Sequence, residues 1–154
     1  MSESLLPKRF LFGFSAPCLY REELWSAKGT GLDAEHRLVS LAELEGRPLW
    51  ADVRAAWNES GLALAVRVRG KRQPPWCRTT RPEDSDGLHL WIDTRNVHNV
   101  HRASRFCHRF LFMPAGGRSS DQPVVQWLPI NRARAHPQAI PPGSLKLHSK
   151  KRDD

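Results

Sequence analysis

The chain has 154 residues, 40% hydrophobic and 26% charged, with 24 Lys and Arg against 16 Asp and Glu for a net charge of +8. That apolar content is enough to bury a core, which excludes wholesale disorder, and the length suits one domain rather than two complete cores. No apolar run approaches the ~20 residues that span a bilayer, so membrane insertion is not expected.

In chain order, Phe10–Phe14 is too short for the apolar region of a signal peptide, which leaves a cytoplasmic location as the expectation. Arg9–Phe14 is a candidate strand, and Leu38–Leu44 supplies at most a turn or two of helix. From Leu49 to Trp57 the period is two: Ala51, Val53, Ala55 and Trp57 share one face, which predicts that Trp57 is core. Leu62 to Arg69 repeats the rule, with Leu62, Leu64, Val66 and Val68 facing in and Ala63, Ala65, Arg67 and Arg69 out. Asn58-Glu59-Ser60-Gly61 between them reads as a four-residue loop, so the pair is an antiparallel hairpin. The same Asn58-Glu59-Ser60 is formally a glycosylation sequon; the turn reading is preferred.

Leu88–Asp93 is a third strand, with Leu88, Leu90 and Ile92 on one face and Trp91 pointing the other way. Phe106–Met113 is a fourth, closed by Pro114 and Gly116-Gly117, and Val124–Ile130 a fifth, in which Pro129 argues for an edge or a bulge. Leu145–Ser149 is a candidate sixth. Pro- and Gly-rich punctuation between these runs predicts an all-β fold, an antiparallel β-sandwich of jelly-roll type. The terminal Lys150-Lys151-Arg152-Asp153-Asp154 resembles a hairpin arm whose turn has just begun, which predicts that the fold lacks its C-terminal strands.

The charge is uneven. Residues 1–77 carry 11 basic and 9 acidic groups, whereas 87–152 carry 11 basic groups against only Asp93 and Asp121. A field of that sign attracts polyanions, nucleic acid included, without conferring specificity; a solvated basic face is the alternative. Cys18, Cys77 and Cys107 are odd in number and not arranged as CxxC, so neither a disulfide scaffold nor a zinc site with His98, His101 or His108 is expected. No nucleotide-binding or hydrolase signature is present, so no enzyme is predicted.

The run A-D-V-R-A-A-W-N-E-S-G-L-A-L-A-V-R-V (Ala51–Val68) and the run D-S-D-G-L-H-L-W-I-D-T-R (Asp84–Arg95) together resemble the family-9 carbohydrate-binding modules. The segment His101–Gly117 is similar to bacterial, notably planctomycete, proteins of the wider sugar- and haem-binding β-sandwich superfamily. The resemblance covers residues 30–154 and leaves 1–29 as an N-terminal extension. It implies a non-catalytic module that holds a glycan or small polyol between aromatic rings. It also implies no obligatory cofactor, with structural calcium in some members, for which Asp84 and Asp86 are candidates, although Asp-Ser-Asp-Gly reads equally as turn chemistry. Superfamily analogy adds a haem reading with His108 or Met113 as axial ligand.

Sugar rings stack their C–H faces on indoles and offer hydroxyls to forked donors and carboxylates. On that basis the candidate ligand-binding residues are Trp76, Trp91, Asp93, Arg95, His98, His101 and Arg102. Trp91 is either a platform or covered by a loop, and the polar set either meets ligand or forms a surface turn. A polyanion site on the basic half, or a scaffold role, stands as the other reading.

Overall fold

The computed structural model describes residues 15–44, 46–97, 101–119 and 121–151; the Arg9–Phe14 candidate strand and residues 152–154 lie outside them. The fold is all-β, as expected. The chain divides into two compact units, residues 1–71 and 72–154, and each holds one three-stranded sheet. Among the described residues no helix is long and apolar enough to cross a membrane.

The first sheet contains β1 (Leu19–Tyr20), β2 (Ala51–Asn58) and β3 (Gly61–Val68), in the order β1-β2-β3. The hairpin is tighter than its sequence suggests, because Asn58 pairs with Gly61 and only Glu59 and Ser60 remain in the turn. The Asn58 side chain builds that turn, its Oδ1 accepting the Ser60 N–H at 2.9 Å, while Gly61 adopts φ 153°, which costs least without a Cβ. The backbone bonds of β2 alternate. Val53 and Trp57 accept from Leu38 N–H (2.8 Å) and Arg21 N–H (3.0 Å) on the β1 side, whereas Trp50 accepts from Arg69 N–H (2.9 Å) on the β3 side. Odd-numbered residues of β3 therefore bond to β2, and its even-numbered residues turn their N–H and C=O groups outward.

The hairpin does not bury the face expected to be inner. Ala56 and Ala63, on the opposite face, are buried, and Ala55 is buried between its larger neighbours, but Trp57 is 44% exposed and not core. Leu62, Val66 and Val68 beside it are 48%, 41% and 47% exposed. Alternation identifies two faces but not which one is covered, and here the alanines are the residues small enough for close approach. Tyr20 meets the Trp57 ring edge-on at 5.6 Å. On the alanine face, Arg54 holds Asp52 through two hydrogen bonds (2.8 and 3.3 Å) and donates to the Leu32 carbonyl at 2.7 Å. This guanidinium keeps the Asp52 carboxyl below its ordinary range. The helical patch is a single turn, α1 (Leu41–Leu44), within the turn or two expected of Leu38–Leu44.

The second sheet is antiparallel and contains β4 (Leu88–Asp93), β5 (Cys107–Met113) and β6 (Val124–Leu128), with β5 in the centre. β6 stops one residue before Pro129, which has no N–H to continue a ladder. The Leu145–Ser149 strand is absent: those residues carry no ladder pairing, and a period-two pattern forms a strand only where a neighbour offers an edge. Register places Leu88, Leu90, Ile92, His108, Phe110, Phe112, Val125 and Trp127 on one face. The other carries His89, Trp91, Asp93, Arg109, Leu111, Met113 and Gln126. Leu111 and Met113 are both 0% exposed, so the second face is covered around them.

Candidate ligand-binding surface

The cover is the loop from Trp76 to Gly87. Cys77 backs onto Gly116, the Thr79 carbonyl accepts from Gln126 Nε2 at 3.3 Å, and Glu83 meets Arg109 at 3.4 Å. These contacts lay the loop across the face that holds Leu111. Its own shape comes from two short polar side chains. Asp86 Oδ2 accepts the Trp76 N–H at 2.6 Å, and the buried Ser85 Oγ accepts the Arg78 N–H at 2.8 Å while lying 2.9 Å from the Arg81 carbonyl. Local carboxylate and hydroxyl acceptors of this kind define turns without ladder bonds.

Two indoles stand out from this assembly. Trp91 is 57% exposed and Trp76 54%. Each has a guanidinium against its ring: Arg109 lies 4.9 Å from the Trp91 centroid and Arg78 4.1 Å from that of Trp76. Arg109 sits directly across the ladder from Trp91 and is mostly buried, held between that ring and Glu83. A cation over one π-face braces the ring and leaves the rest of its surface for a ligand. Neither indole lines the cleft of about 320 Å³ in this unit, which is formed by Val125, Trp127, Ile140, Pro141 and Leu145. With both rings more than half exposed, the candidate site is an open aromatic surface.

The polar residues expected beside Trp91 are used for structure. Asp93 shares the Trp91 face of β4, yet its carboxylate accepts the Arg95 N–H at 3.0 Å and the Val97 N–H at 3.1 Å, closing the turn that follows the strand. The Asp93–Arg95 contact is thus made through the backbone. The Arg95 guanidinium instead lies 4.7 Å over Phe106, which Arg105 also covers at 5.0 Å. Arg102 Nε donates to the Arg132 carbonyl at 2.9 Å, His101 is exposed, and His98 lies outside the described residues. Sequence reasoning missed Arg78, Arg109 and Glu83. Arg78 follows Trp76 by two residues, a spacing that was open to reading, whereas Arg109 meets Trp91 only through a register set across the long connection between β4 and β5.

Asp86 is engaged by the Trp76 backbone, and among the described residues no cluster of three His, Cys, Asp or Glu could hold a metal ion. Of the two alternative haem ligands, His108 stacks on Phe110 on one face of β5 and Met113 is buried on the other. Cys18, Cys77 and Cys107 are free thiols, and partial burial raises the Cys18 thiol above its ordinary value.

Comparison of this chain with protein-family models, curated proteins and solved structures finds no match. The resemblance to family-9 carbohydrate-binding modules accordingly rests on the residues quoted for it.

Proposed function

We propose that this chain is a non-catalytic carbohydrate-binding module of β-sandwich type, with Trp76 and Trp91 as its stacking platforms. One observation carries the reading: two indoles more than half exposed, each braced by a guanidinium, on a single loop-over-sheet assembly. Large exposed aromatics held rigid without solvent-excluding cover favour a ligand with a flat apolar face and polar rim, and a pyranose has both. Arg78 and Arg109 add donors for hydroxyls or a carboxylate, which supports glycans and small polyols, acidic ones included. Calorimetric titration of the full chain with neutral and uronic oligosaccharides tests it. Saturable heat and a change in tryptophan emission, both lost in Trp76→Ala and Trp91→Ala, are expected. Their absence with every saccharide overturns the proposal.

A second reading, polyanion or nucleic-acid binding, is favoured by one separate observation. Arg95 and Arg105 are exposed around Phe106, and no carboxylate partner is seen for either among the described residues. It predicts affinity that falls linearly in log–log form with salt, whereas stacking on the indoles is nearly indifferent to salt.

A further inference from the structure

We infer, resting on the carbohydrate-binding reading, that the ligand is an extended acidic glycan. Its neutral rings lie on Trp76 and Trp91, and its carboxylate or sulfate groups are held by an arginine surface at one end of the second sheet. The C-terminus of β4, the N-terminus of β5 and the C-terminus of β6 meet at that end. The row Trp91–Arg109–Leu128 lies two ladder positions from the last β4–β5 pair, Asp93–Cys107. Beyond that pair the β4–β5 connection carries Arg95, Arg102 and Arg105, and the chain leaving β6 carries Arg132 and Arg134, all five exposed. The two segments are tied together: Arg102 Nε donates to the Arg132 carbonyl at 2.9 Å, and the Arg134 N–H donates to the Ala103 carbonyl at 2.7 Å. The first bond helps to hold Arg132 at φ 56°, in the left-handed region that favours glycine. Phe106 steadies the guanidiniums of Arg95 and Arg105, at 4.7 and 5.0 Å from its ring. Residues 94–106 and 129–136 contain no Asp or Glu, so planar forks that match the paired oxygens of an acid group are left for a ligand.

Trp76 stands at the opposite end of β4. There the Asp86 N–H donates to the Trp76 carbonyl and the Trp76 N–H to the Asp86 carboxylate, both at 2.6 Å. Trp91 follows Asp86 by five residues, at most about 17 Å of extended chain, and Arg95 follows Trp91 by four. The two indoles and the arginine surface therefore succeed one another along β4, which suits a polymer lying along the strand rather than a small polyol. Charge is placed unevenly on this line. From Trp76 to Asp93 two arginines stand against four carboxylates, and Arg109 is paired with Glu83 at 3.4 Å. The five exposed arginines follow. A single-stranded nucleic acid carries a charge on every phosphate, needs a positive groove along its whole length, and would run past Glu83 and Asp84 here. A glycan needs cations only where its acid groups fall.

Isothermal titration of the full chain with cellohexaose, hexagalacturonate and sulfated cellohexaose tests this. One or both acidic probes are expected to bind about tenfold or more tighter than cellohexaose at low salt, a gap that narrows as salt screens the exposed charges. The tighter of the two acidic probes identifies the group as carboxylate or sulfate. Arg105→Gln/Arg134→Gln leaves both hydrogen bonds between the segments in place and should bring the acidic probes down to the affinity of cellohexaose. Circular dichroism checks that this variant folds, and the wild-type comparison stands without it. Equal binding of cellohexaose and the acidic probes overturns the inference and leaves the carbohydrate-binding reading standing. So does an acidic preference that survives the double variant, or an oligothymidylate of equal charge that binds as tightly. Absence of binding by every saccharide removes both.

Discussion

Replacing Gly87 with alanine probes how tightly the Trp76–Gly87 loop is fastened to the second sheet. A Cβ at this position would lie 2.5 Å from the Phe112 carbonyl oxygen and 3.1 Å from Leu111 Cδ1, where real Cβ contacts stay above 3.0 Å. Backbone must therefore move by about half an ångström. The Thr94 N–H to Phe106 carbonyl bond (3.1 Å) fixes the parity of the β4–β5 ladder, so the Phe112 carbonyl is the acceptor for the neighbouring Leu88 N–H. Moving it strains the first rung of β4, and Leu111, on the central strand, is fully buried and cannot yield. Two effects compete. Gly→Ala stabilises by about 0.4–1 kcal/mol through the unfolded chain where the backbone accepts it, whereas forcing a methyl into a packed site costs about 1–3 kcal/mol. The clash with backbone decides the sign, and a net loss of about 1–2 kcal/mol is expected. Urea unfolding followed by tryptophan emission measures it, and hydrogen exchange at the β4 and β5 amides localises it. An unchanged or raised midpoint with native exchange in β4 would refute the argument.

Leu111→Ala empties a wholly buried position on the central strand of the second sheet and is expected to cost about 2–5 kcal/mol in the same titration. Ser85→Ala leaves the Arg78 N–H without its acceptor inside the loop, so a loss of about 1–3 kcal/mol and a change in Trp76 emission are expected. Arg109→Lys keeps the charge but loses the planar group over Trp91; weaker saccharide binding and a shifted Trp91 emission should follow, at a stability cost of about 1 kcal/mol. Because the Arg54 guanidinium lowers the Asp52 carboxyl, its contribution is fully present above the unfolded carboxylate value of about 4 and is lost as pH falls through the lower folded value. Arg54→Met should therefore be less stable at neutral pH and flatten the acid limb of the stability profile below about pH 4, as read by thermal unfolding across pH.

The sequence by itself determined five of the six strands, but not β1, and it offered Leu145–Ser149, which forms none. Period-two alternation located β2, β3 and β4, Pro114 and Gly116-Gly117 closed β5, and Asn58 and Gly61 marked the turn that joins β2 to β3. These are local effects of side-chain alternation, a missing N–H and turn chemistry, and they act within a few residues. The outward direction of Trp91 was also legible, because it alternates with Leu90 and Ile92, whereas its exposure rather than cover by a loop was decided by the tertiary structure. Which face of the first sheet is covered was not, since both faces of the hairpin carry alanines and only contact with distant segments buries one of them. Nor was the role of Asp93, whose carboxylate reads equally as a sugar acceptor or as the closure of its own turn. Tertiary structure alone brought Arg109 under Trp91 and Glu83 onto Arg109, because strand register and loop placement depend on contacts between residues far apart in the chain.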